Sequence, residues 1–308
     1  MARKPKGQPI HGWIAVDKPS GISSSTVVAR VKRALDAAKA GHGGTLDPLA
    51  TGILPIALGE ACKTVNFVMD GRKTYTFEVT WGAATATDDS EGEVIATSPH
   101  RPTEPDIRAA LPRFIGRITQ VPPVYSAIKI DGERAYARAR RQETVEIPPR
   151  EVDVHDFRLS GMADADHASF EVDCGKGTYI RALVRDIAQA IGTVGHISRL
   201  RRTRCGVFRE EAAISLANLE ALGHNAAQSA HLLPVATVLD DIPALALTVE
   251  EARRVSLGQA IALWPVAKRS PLSGLSPGMA VQVMCGDKLI AVAEVGDGMV
   301  RPVRVMNH

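Results

Sequence analysis

The segment Gly41–Lys63, GHGGTLDPLATGILPIALGEACK, leaves the chain few choices. Gly41, Gly43 and Gly44 permit a tight or closely approached backbone, and Pro48 sets the direction in which the chain leaves. Asp47 is the one acidic residue in the segment before Glu60. An Asp before Pro commonly starts a turn. A carboxylate on a rigid, glycine-flanked loop is equally well placed to act on a ligand. Thr45 supplies a hydroxyl nearby, and the run LPIAL is expected to dry one wall of a site. The residues alone leave the turn and the reagent both open.

The rest of the chain suggests two domains. Residues 12–18 read as a buried strand, and Ser23, Ser24 and Ser25 offer N-caps for a helix running through Ala40. Residues 73–82 and 168–174 carry β-branched and aromatic residues and read as strands. Residues 102–116 read as a helix opened by Thr103, Glu104 and Pro105. Between Ile180 and Ile191, apolar residues recur at helical spacing, with Arg181 and Arg185 on the other side. Proline pairs bracket residues 119–150, whose middle is basic, so this segment reads as an arm inserted into the core. Strands and helices do not alternate regularly, which favours an α+β domain over 1–240. After Asp240-Asp241 the composition shifts. One helical pattern (247–258) and four short strand patterns (260–266, 279–286, 288–295 and 299–306) predict a small β-rich domain over 243–308.

Composition excludes several classes. Cys62, Cys174, Cys205 and Cys285 are far apart and form no CxxC, against a zinc site or a disulfide framework. The N-terminal residues lack the apolar core of a signal peptide, and no apolar run approaches the ~20 residues of a membrane span. The expected compartment is the cytoplasm. Net charge is only +3, but it is unevenly spread. Residues 1–33 hold seven Lys or Arg against one acid, and residues 176–209 hold eight against one. Asp88, Asp89, Glu91 and Glu93 cluster elsewhere. Such segregation predicts a surface for a polyanion, nucleic acid before others.

Five stretches in order, VDKPSGISS, the Asp47 segment, KTYTFEV, VYSAIKIDG and GKGTYIRALVRDI, resemble the motifs of the TruB family of bacterial tRNA pseudouridine synthases. The match departs at Gly43, where related chains often carry Thr or another small residue. The resemblance implies a pseudouridine synthase fold with a mixed, largely antiparallel sheet and a small PUA-like RNA-binding domain at 243–308. It implies isomerisation of uridine 55 in the T-loop of tRNA, with the base flipped out of its stack. Asp47 matches the catalytic aspartate; attack on the base, attack on the ribose or abstraction of a ribose proton all stay open. Arg181 matches its guanidinium partner. Tyr75 matches the tyrosine that packs on the base, and is a candidate for the proton transfer at C5. Tyr179 and Leu200 match pocket walls, and His42 a residue that fills the space the base leaves. Lys18, Lys63 and Lys129 match basic positions expected to meet RNA phosphate or the pocket, and 119–150 matches the tRNA-gripping insertion. The reaction asks for no metal or organic cofactor, and GKGT at 175–178 is not a complete P-loop. A monomer is expected. Two other readings are a tRNA-binding, tRNA-folding protein without catalysis, and the guide-RNA-dependent branch of the superfamily. An ionised, dried Asp47 argues against the first, and the lack of long lysine-rich tails against the second.

Overall fold

A computed structural model describes residues 7–307 apart from 127, 131, 136, 137, 139, 140, 142, 144, 145 and 271–273. The larger part of the chain is built on a ten-stranded sheet. Its main path uses β1 (Gly12–Lys18), β2 (Thr51–Leu58), β3 (Lys73–Trp81), β4 (Gly116–Gln120), β5 (Arg150–Met162), β6 (His167–Cys174), β7 (Gly195–Cys205) and β8 (Ile214–Ser215). Their order is β8-β1-β2-β7-β3-β6-β5-β4. The β1–β8 and β2–β7 pairs are parallel and the other pairs antiparallel, the mixed, largely antiparallel sheet that was expected.

Sequence periodicity explains which face is covered. Along β3, Lys73, Tyr75, Phe77, Val79 and Trp81 alternate inward, while Thr74, Thr76, Glu78 and Thr80 stay half-exposed. Phe77 stacks on Phe170 with ring centroids 5.4 Å apart. A helix, Ile180–Ala190, adds Leu183, Val184 and Ile187 to the same core. Strand register puts Tyr75 opposite Arg202 and Phe77 opposite Leu200.

Helix boundaries differ from expectation for local reasons. The Ser23 hydroxyl caps the helix Ser24–Ala34 by accepting from the Thr26 amide at 3.1 Å. The helix stops well before Ala40, because Asp36 turns the chain at φ 46° and Ala40–His42 pairs with β2. Thr103 and Asp106 form a capping box for Glu104–Ala110. Pro112 then allows only a 3-10 turn, Leu111–Phe114, so the expected helix 102–116 is cut short before β4.

The C-terminal residues form a five-stranded sheet from β9 (Ala244–Ala246), β10 (Ile261–Ala262), β11 (Ala280–Cys285), β12 (Lys288–Gly296) and β13 (Met299–Val305). The order is β9-β11-β12-β13-β10. The strand expected over 260–266 is reduced to Ile261–Ala262, and Leu263–Ala267 turns helical. Pro265 cannot donate to a sheet ladder but fits the first turn of a helix. The two parts share a core: Trp13, Ala15, Ile53, Ala57 and Phe208 pack in one cluster with Leu289, Val292 and Met306.

Candidate active site

The Asp47 loop leaves the sheet where β2 and β7 run parallel, with Arg202 beside Gly52. Gly52 has φ 95°, and a Cβ there would lie 2.2 Å from the Arg202 carbonyl, so only glycine lets the strands meet. Three side chains pin the loop. Arg202, 1% exposed, donates to the carbonyls of Ile53 (2.8 Å), Gly44 (3.1 Å) and Thr45 (3.4 Å). The Ser24 hydroxyl donates to the Leu46 carbonyl at 2.9 Å and accepts from the Leu46 amide at 2.8 Å. Lys18 donates to the carbonyls of Pro19 (2.9 Å), Ile22 (2.7 Å) and Pro48 (3.1 Å). Asp47 therefore sits between clamped neighbours.

Its carboxylate meets Arg181. Nε and Nη2 of Arg181 lie 2.9 and 2.8 Å from Oδ2 of Asp47. The guanidinium is 4% exposed and the Asp47 side chain 33%, so the arginine is buried behind a carboxylate that faces the cleft. Arg181 also donates to the carbonyls of Thr87 (2.8 Å) and Tyr125 (2.9 Å), and Asp89 stands 3.7 Å from its Nε. A guanidinium so bound cannot swing away, and it holds the carboxylate in one orientation.

The cleft has a volume of about 540 Å³, room for a flipped nucleoside. Tyr75, Tyr179 and Leu200 join Asp47, Arg181 and Arg202 in its wall, so the expected pocket residues do come together. Burial pushes the Tyr75 phenol up to about 12, with the Arg202 guanidinium beside it working the other way. Tyr75 is therefore neutral at physiological pH. A neutral, buried phenol suits the role of packing on a base. Tyr179 is held by Gln120 and lies under the Arg150 guanidinium, 4.8 Å from the ring centroid. His42 lies on the strand before the loop, and its Nδ1 accepts from the Gly44 amide at 3.4 Å; it is not part of the cleft wall.

Several expectations are corrected. LPIAL does not dry the site: Leu54, Ile56 and Leu58 are fully buried in the sheet core, and Leu46, Ile180 and Leu200 supply the apolar wall instead. Lys18 is 0% exposed with its three donors on protein carbonyls, so it clamps the loop rather than meeting phosphate. Lys63 bonds Glu60 at 2.6 Å and the Val305 carbonyl at 2.7 Å, tying the end of the Asp47 segment to β13. The side chain of Lys129 lies outside the described residues. The basic run 176–209 is also less free than its sequence suggests. Arg181 and Arg185 meet Asp89 and Asp88, Arg201 meets Asp17 and Glu210, and Lys176 meets Asp70. Half of the run's eight basic residues are thus paired with acids distant along the chain.

Sequence reasoning missed Arg202, Ser24, Asp89 and Gln120 as supports of the site. Arg202 was hidden among neighbouring arginines, and Asp89 among the acids that gather around it at Asp88, Glu91 and Glu93.

Two expected results follow from the loop supports. Burial pulls the Lys18 ammonium down to about 8, with Asp47 and Glu91 resisting. Between that value and the ordinary 10.5, the unfolded chain holds a proton the folded one lacks, so the Lys18 contribution to stability rises with pH there. The clamp moves the other way, since a neutral amine has two donors for three carbonyls. Turnover is expected to fall above about pH 8, and a pH–rate profile of Lys18→Met to lack that fall; an unchanged alkaline limb would clear Lys18 of it. At Gly43, a Cβ would lie 2.7 Å from Cγ1 of the buried Val68. Gly43→Thr should therefore lower stability by about 1–3 kcal/mol in thermal melts, with Val68→Ala restoring part of it.

Comparison with known proteins places the chain in a family. The family model for the TruB family pseudouridylate synthase N-terminal domain matches residues 32–180, and that for the tRNA pseudouridylate synthase B C-terminal domain matches 181–240. A protein of Rhodospirillum rubrum named tRNA pseudouridine synthase B is 52% identical over 307 residues, covering 100% of both chains. One of Caulobacter vibrioides with the same name is 53% identical over 306 residues, covering 99% of each. Among solved structures, a Cbf5-Nop10-Gar1 complex holds a chain 26% identical with a TM-score of 0.75, covering 100% of this chain and 90% of that one. An H/ACA RNP bound to a substrate RNA shares the fold, at 24% identity and a TM-score of 0.73, covering 100% and 92%. Fold and site together define a pseudouridine synthase, an isomerase. Within that class the chain belongs to the TruB family.

Proposed function

We propose that this isomerase converts uridine 55 in the T-loop of tRNA to pseudouridine, acting as a cytoplasmic monomer. The names of the curated relatives support tRNA as substrate, and the motif resemblance supports position 55. The reaction breaks the bond from N1 to C1′, turns the base and joins C5 to C1′. The proton on C5 leaves and N1 gains one, so no oxidant or cofactor is consumed. The observation that carries the proposal is the clamped Asp47 carboxylate at the cleft, held by a buried Arg181. Asp47 acts as nucleophile or base, and Arg181 orients it. Tyr75 supports one side of the flipped base, and Leu200 and Tyr179 complete the pocket. His42, just before the loop, fills the gap in the RNA stack. Residues 119–150 grip the RNA, and 243–308 add PUA-like RNA binding.

Unmodified tRNA transcript labelled with tritium at uridine C5 tests this. The protein is expected to release tritium from the T-loop, and to release none when cytidine replaces uridine 55. Release that ignores that replacement would move the target elsewhere in the RNA.

A further inference from the structure

The segment between β4 and Tyr125 touches the arginine helix at three points. Gln120, the last residue of β4, is 1% exposed. Its side-chain amide matches a peptide: Oε1 accepts from the Tyr179 amide at 2.8 Å, and Nε2 donates to the Tyr179 carbonyl at 3.0 Å. Tyr179 is the N-cap residue of the helix that carries Arg181, and no side chain caps that helix in the ordinary way. One residue on, the Val121 carbonyl accepts from Nη2 of Arg185 at 2.7 Å. The Tyr125 carbonyl accepts from Nη2 of Arg181 at 2.9 Å, and that same nitrogen lies 2.8 Å from Asp47. Between these contacts lie Pro122 and Pro123, both buried, which restrict the backbone to a narrow range.

We propose that residues 120–125 are a proline-stiffened strap that positions Arg181, and that Gln120 is a positioning residue for the isomerisation. Gln120 sets both ends of the relation. It fixes where the arginine helix starts, and it fixes where the rigid strap starts that delivers the Tyr125 carbonyl to the guanidinium. With the Gln120 amide gone, the helix start and the strap can shift against each other. Arg181 then keeps its charge but loses its fixed angle to Asp47. The strap is also the root of the arm 119–150, so a pull on that arm by bound RNA reaches the Asp47–Arg181 pair through one carbonyl. This link to turnover rests on the function proposed above; the link from Gln120 to Arg181 does not.

Gln120→Met keeps the length and burial of the side chain and removes both hydrogen bonds. At saturating unmodified tRNA its single-turnover rate is expected to fall about ten- to hundredfold, as for groups that orient a reacting residue, with Kd within about threefold of the parent. Gln120→Glu keeps the acceptor for the Tyr179 amide and should fall less. In the free protein, the Arg181 Nε–H resonance, assigned by its absence in Arg181→Lys, should be sharp in the parent and shifted or broadened in Gln120→Met. A resonance and a rate both unchanged in Gln120→Met overturn the strap, as does a loss of affinity equal to the loss of rate. If Gln120→Met does not fold, the pair Pro122→Ala and Pro123→Ala loosens the strap without removing a hydrogen bond; the same shift supports the proposal and an unmoved resonance overturns it. A parent that modifies no tRNA would defeat the functional reading, while the resonance still decides the strap.

Discussion

Asp47→Asn is expected to abolish pseudouridine formation, by on the order of 10⁴-fold or more, while tRNA binds as before. The substitution changes the charge and little else. Its backbone stays pinned by Ser24, Lys18 and Arg202, and an amide oxygen can still accept from Arg181. The buried guanidinium keeps Asp89 at 3.7 Å as a counter-charge, so the fold should survive the loss. What disappears is the ionised carboxylate that the proposed function takes as nucleophile or base. Tritium release and filter binding, measured side by side, check this. Release within tenfold of the parent would remove Asp47 from the chemistry; weakened binding with release in proportion would make it a recognition residue.

Arg181→Lys is expected to lower turnover by about 10²–10³-fold and to lower the melting temperature as well. An ammonium keeps the charge but cannot reproduce a planar fork that reaches Asp47, the Thr87 carbonyl and the Tyr125 carbonyl together. At least one buried acceptor loses its donor, at roughly 1–3 kcal/mol each. Affinity for tRNA should change little, because this guanidinium is buried behind Asp47 rather than presented at the surface. Equal losses in turnover and affinity would instead mark Arg181 as a phosphate contact.

The strands of the larger sheet were legible where a short apolar run was closed by a turn signal or where β-branched and aromatic residues gathered. β1, a nearly continuous buried run, and β3 and β6, which alternate inward and outward, fall within a residue of the expected spans. Long β5 was missed because its first residue closes the expected arm, and a register shift between Val154 and Asp156 breaks its alternation before Phe157 and Leu159. The helix ends failed where a single residue overrode propensity, Asp36 in one place and Pro112 in another. At the site, Asp47, Arg181, Tyr75 and Leu200 were legible from their motifs, and the cleft brings them together. Their supports were not. That Arg202 staples two carbonyls of the loop, or that Asp89 backs Arg181, depends on strand register and tertiary approach. No local pattern encodes either. Lys18 shows the opposite failure. A lysine beside a proline looked like an RNA contact, and only its burial shows that it is part of the loop.

The cluster beneath β1 has a consequence for how the enzyme is made. Trp13 and Ile53 come from the first sixty residues, yet their cover includes Leu289, Val292 and Met306. A ribosome that has finished the Asp47 and Arg181 segments has not yet supplied the residues that close the core behind them. Until Leu289, Val292 and Met306 emerge, that apolar face is open to chaperones and to other nascent chains. A chain broken off before Leu289 should therefore be prone to aggregate, however intact its Asp47 segment.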